Sequence, residues 1–152
     1  MPARHGVLIA VLSASLVTVG CGKEEEDPKL PAVCSAGPGQ VRAALMGAPG
    51  RVTIEGTPIS NCFIRAADAA DVQLVGSTLL AVAAPLAERA QRDPDGDAAL
   101  QLGYLIGAIQ RGTKSKQGIY AESVRRLNQE LANVDRRTSS FRRGEKAGNT
   151  SG

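Results

Sequence analysis

The sequence predicts a small all-α domain: a three-helix bundle joined by a disulfide to an N-terminal segment with room for a short β-hairpin. Three observations carry that expectation. From residue 66 onward, apolar residues recur at spacings of three and four, the period of one helix face. Glycines and prolines punctuate residues 34 to 61 every few positions, so only short elements fit there. The links between the periodic stretches are short, which favours antiparallel neighbours.

Residues 40 to 46 have length for two helical turns. Arg51-Val52-Thr53-Ile54-Glu55 alternates polar and apolar like a half-buried strand, and residues 59 to 63 are its expected partner in a hairpin that is marginal alone. The first long helix is expected over residues 66 to 92, with Val72, Val75, Leu79, Val82 and Leu86 on one face and a kink at Pro85. Asp93-Pro94-Asp95-Gly96-Asp97 has the aspartates and early proline of a helix start, and the second helix continues to about residue 110, before Gly112. The third spans residues 115 to 134, with Tyr120, Val124, Leu127, Leu131 and Val134 inward and Arg125, Arg126, Asn128, Gln129 and Glu130 elsewhere.

The stretch ahead of these elements is of another kind. Residues 1 to 5 carry Arg4, residues 7 to 19 are uncharged and largely apolar, and the run closes on Val17-Thr18-Val19-Gly20-Cys21. Thirteen such positions suit the core of an export signal and fall short of the roughly 18 to 20 that a permanent transmembrane helix requires. This segment resembles the signal and lipobox of a bacterial lipoprotein precursor, with small residues ahead of the cysteine; Thr18 stands where that family usually has leucine. The resemblance implies removal of residues 1 to 20, a diacylglyceryl group on the Cys21 thiol, and an extracytoplasmic protein anchored by lipid to the cell membrane or outer membrane. Gly22 lacks the aspartate associated with inner-membrane retention, which favours the outer membrane in a two-membrane cell. Thr18-Val19-Gly20 also fits an ordinary signal-peptidase site, and that alternative leaves Cys21 as a third thiol.

Residues 21 to 33 then form a lipidated cysteine and an acidic tether, with Glu24-Glu25-Glu26-Asp27 followed by Pro28 and Pro31. Its charge beside an anionic lipid surface favours extension, and its reach is about 40 Å. Residues 34 to 135 form the single helical domain. Cys34 and Cys62 are expected to pair because the protein is exported, and closing that loop contributes about 3.6 kcal/mol on the chain-entropy model. This matters for a core with no Trp and two Phe. Residues 136 to 152 hold Arg136, Arg137, Arg142, Arg143 and Lys146 against Glu145, a net +4, whereas residues 21 to 135 hold 12 bases and 14 acids. The basic tail is expected to be solvated and disordered, with contact to an anionic membrane surface or wall polymer as the alternative.

The only histidine, His5, lies in the removed signal. Ser-His-Asp and Cys-His nucleophiles, histidine-ligated zinc or haem, and imidazole acid-base catalysis are thereby excluded. Two cysteines without histidine make a poor zinc site, so no metal or cofactor is expected. The aspartate run resembles the start of an EF-hand loop, but Ala98 occupies its sixth position and Tyr104 its twelfth, and helix capping accounts for the acids. Ala99, Gly103 and Gly107 leave one stripe of the second helix bare, which suits close packing against the first or third helix, with self-association as the alternative. Glu55, Asp68, Asp71, Glu88, Glu122 and Glu130 are candidate carboxylates outside any catalytic motif. No phosphate-binding glycine loop or dinucleotide fingerprint occurs, and no nucleic-acid partner is expected. The resulting expectation is a non-enzymatic envelope protein acting by protein or wall-polymer binding. The alternatives are a histidine-free, carboxylate-dependent hydrolase of cell-wall glycan and a small-ligand carrier with a pocket between helices.

Overall fold

The computed structural model describes Met1 and residues 29 to 152; the signal segment, Cys21 and the acidic run of the tether lie outside the described residues. A 3-10 turn at Ala32–Ser35 leads into α1, Pro38–Leu45, where Pro38 presets the helical φ of the first turn. The hairpin pairs β1, Thr53–Ile54, with β2, Thr57–Pro58, antiparallel, with Thr53 opposite Pro58. Its two-residue turn has positive φ at both positions, 50° at Glu55 and 82° at Gly56, the geometry that matches the strand twist. The partner expected at residues 59 to 63 is instead α2, Ile59–Arg65, because the pairing ends at Pro58, which has no N–H to extend the ladder. The disulfide Cys34–Cys62, with Cα atoms 5.5 Å apart, ties the 3-10 turn to α2.

α3, Ala69–Arg92, starts at Asp68, whose carboxylate accepts the Asp71 N–H at 2.9 Å. Val72, Val75, Leu79, Val82 and Leu86 are buried on one face as their spacing requires, and the helix runs unbroken through Pro85. Among the described residues it is the one helix long and apolar enough to cross a membrane; that inward face belongs to the core. α4, Asp97–Thr113, passes through Gly112 rather than ending before it. A Cβ there would stand 2.6 Å from the Ser60 carbonyl oxygen and 3.0 Å from the Phe63 Cβ, so the glycine admits α2. α5, Ile119–Glu130, is shorter than its apolar stripe, because Gly118 at φ 65° sets its start and the chain turns after Glu130. Leu127, Leu131 and Val134 are buried all the same.

The basic tail is helical and packed rather than solvated and disordered as its charge predicts. Residues 139 to 151 form α6, Ser139–Ser151, capped by the Thr138 hydroxyl, which accepts the Phe141 N–H at 3.3 Å. Phe141 is fully buried in the same core cluster as Cys34 and Tyr104, so the domain continues to Gly152 and the tail is not a solvated appendage. With six helices among the described residues, the fold is all-α but exceeds a three-helix bundle.

α6 packs along α4, and glycines decide how closely. Gly103 faces Phe141 and Glu145, and Gly107 faces Glu145 and Asn149, so the two helices run parallel. α5 carries the chain back between them. A Cβ at Gly103, Gly107, Gly144 or Gly148 would collide with a backbone carbonyl of the opposite helix. The bare stripe of α4 is therefore used for close packing, as expected, but its partner is α6 and not α3 or α5. Each interior glycine costs about 1 kcal/mol against alanine, and backbone-to-backbone dispersion and Cα–H···O contacts offset that cost.

Candidate functional site

Polar side chains lock the seam between α4 and α6 along its edge. Glu145 accepts hydrogen bonds from Arg136 and from Gln110, each at 2.9 Å, and Gln110 in turn accepts from Asn149 at 2.9 Å. Arg136 also stacks over the Phe141 ring, with Cζ 5.5 Å from its centroid. The buried Tyr104 hydroxyl accepts the Val52 N–H at 3.2 Å, which joins the hairpin segment to α4. At the far end Arg111 donates to the Thr150 carbonyl and Ser60 to that of Gly152. The Asp93 to Asp97 run anchors the near end: Asp95 accepts Ser139 Oγ through its carboxylate and Ser140 Oγ through its carbonyl, at 3.2 and 2.6 Å. The run thus docks a helix.

One consequence of this seam is a fixed, outward-facing row of cations. At 100° per residue, Arg142 and Lys146 lie opposite Gly144 and Gly148, and Arg143 lies on the flank beside them. All three are exposed and have no ion-pair partner among the described residues. The only acid on α6, Glu145, is already held by Arg136 and Gln110. These residues are visible in the sequence as charge, but their helical setting is not signalled by apolar periodicity. The signal that marks it is the four-residue glycine spacing at 144, 148 and 152, matching that of Gly103 and Gly107, after Thr138-Ser139 as a cap.

Comparison with family models, curated proteins and solved structures returns no match.

The six candidate carboxylates are not brought together around one cleft. Asp68 and Asp71 cap the start of α3, Asp71 accepting the Ala67 N–H at 3.2 Å. Glu55 sits in the hairpin turn, and Glu88 and Glu130 are exposed on separate helices. Glu122 borders a cleft of about 240 Å³ between α3 and α5 with Gln73, Ser77, Ser123 and Arg126, and among the described residues no second acid lines it. Hydrogen bonds from Arg125, then from Arg126, hold its pKa down at about 2, and the same contact raises that of Arg125. Asp93 and Asp97 do share a shallow depression, interleaved with Arg89 and Arg92. A larger cleft of about 540 Å³ lies between α1, α3 and α4, lined by Arg42, Leu45, Met46, Leu86, Arg89, Asp97 and Gln101. Neither guanidinium in it was marked by any sequence periodicity. Cys21 lies outside the described residues, and Cys34 and Cys62 are joined to each other.

Proposed function

We propose that the protein is a lipid-anchored bacterial envelope protein that binds an anionic envelope polymer through the outer face of α6. The observation that carries this reading is the unpaired row Arg142, Arg143 and Lys146 on a helix held rigidly by backbone contact. Cations fixed on one side of a rigid element meet a polyanion without first losing chain entropy, whereas a disordered tail loses it on binding. The lipobox resemblance supplies the anchor. The acidic run between anchor and domain repels an anionic leaflet and favours a polymer over the headgroups as the partner.

The test is binding of the full-length protein to inorganic polyphosphate and to polygalacturonate at several salt concentrations. Affinity should fall steeply with salt, and replacing Arg142, Arg143 and Lys146 together by Gln should weaken it at least about tenfold. Equal binding by the triple variant would remove the reading. The protein-partner form of the same proposal predicts capture by crosslinking in intact envelopes that is lost in that variant.

A further inference from the structure

We propose that the cleft between α1, α3 and α4 binds the carboxylate end of a short apolar peptide. Its volume of about 540 Å³ falls within the roughly 300 to 1,000 Å³ of small-ligand sites. Leu45 and Leu86 give it an apolar floor, both almost fully buried. Met46, just past the end of α1, is 78% exposed, a large unbranched side chain held in water at the rim, where it can close over an apolar ligand.

The charged groups are distributed to suit a peptide rather than a hydrocarbon acid. Arg42 comes from α1 and Arg89 from α3, and neither guanidinium has a hydrogen-bond or ion-pair partner among the described residues. Guanidinium groups match the two oxygens of a carboxylate in a forked geometry that a lysine lacks. Asp97 and Gln101, one turn apart on α4, line the same cleft, and Asp97 forms no ion pair with Arg89 although both border it. Arg92 and Asp93 flank the adjoining depression and cancel each other in charge. The cleft thus offers a cationic pair for a carboxylate, an apolar floor for side chains, and a carboxylate with an amide for peptide N–H groups or a terminal ammonium. A fatty acid leaves Asp97 and Gln101 unanswered. This site is separate from the α6 face, and either proposal stands or falls without the other.

The experiment titrates Leu-Ala-Leu with free termini into the full-length protein, read by calorimetry and by amide shifts of α1 and α4. Binding at millimolar affinity or better is expected, with shifts at Met46 and Gln101. Amidating the peptide carboxylate, or substituting Arg42→Gln or Arg89→Gln, should each weaken binding about tenfold, whereas Arg125→Gln on α5 should leave it unchanged. Absence of binding at about 10 mM peptide overturns the proposal, as does equal binding of the amidated peptide. Tighter binding of dodecanoate than of the peptide also overturns it, and assigns the cleft to acyl chains.

Discussion

At Gly107 a Cβ would collide with the Glu145 carbonyl and stand 2.7 Å from the Asn149 nitrogen, which reverses the usual gain from exchanging glycine for alanine inside a helix. Gly107→Ala should lower stability by about 1 to 3 kcal/mol or more in urea denaturation, as overpacking does. Gly39→Ala on α1, where nothing lies within 4 Å, should instead be neutral or stabilise by up to about 1 kcal/mol. If both variants moved the midpoint the same way, the close approach of α4 and α6 would be wrong. Glu122 is held by electrostatics that can be tested directly. The Glu122 carboxyl titrates below its usual value of 4.5, at about 2, so its pairing with Arg125 and Arg126 is fully present above pH 4.5 and is lost as pH falls through about 2. Carboxyl NMR should show that low midpoint, and replacing both arginines by Gln should return it to the ordinary carboxylate range. An unchanged midpoint in that variant would refute the assigned cause.

Among the elements, α3 and α5 were legible because each must bury a stripe against neighbours, and a stripe writes itself into the sequence as spacing. Leu127 lies in the middle of the α5 stripe and is buried, so Leu127→Ala should cost about 2 to 5 kcal/mol and leave the domain largely unfolded or quickly degraded. Arg126→Ala, one residue away and exposed, should leave the denaturation midpoint nearly unchanged. Equal stability of the two variants would mean the helical register is wrong. α6 was illegible for the opposite reason. It buries backbone rather than side chains, so between Phe141 and Gly152 it presents glycines, which are poor helix formers, among charges. α2 is not separable from a strand in the sequence, because Ile59 to Phe63 offers three apolar residues in five, a length at which periodicity does not distinguish helix from strand. The expected second strand lay nearer, just past Glu55-Gly56, where a turn with positive φ at both positions closes the hairpin.

For the molecule as a whole, the proposed compartment and anchoring rest on the sequence of residues 1 to 21 alone, whereas the candidate sites arise only in three dimensions. Arg42 and Arg89 are 47 positions apart and meet in one cleft through the packing of α1 on α3. Nothing in either helix alone announces that. On the proposed anchoring, Cys21→Ser should abolish lipid labelling and release the protein from the membrane fraction, since the thioether is the attachment the reading supplies. Retention of the variant on membranes after a high-salt wash would contradict it.

The repeat that lets α4 and α6 touch also makes their alignment ambiguous. Both bare stripes recur every four residues, so sliding α6 by one repeat, about 6 Å, sets glycine against glycine again. Such a seam behaves like a ratchet with equivalent teeth, and one-turn displacements of this kind separate conformational states in other helical interfaces. What distinguishes the teeth is aperiodic: Ser139 and Ser140 on Asp95 at one end, Glu145 on Gln110 and Arg136 in the middle, Ser60 on Gly152 at the other. A chain stripped of those side chains would keep its helices and its close contact, yet lose the detent that makes one alignment the native one.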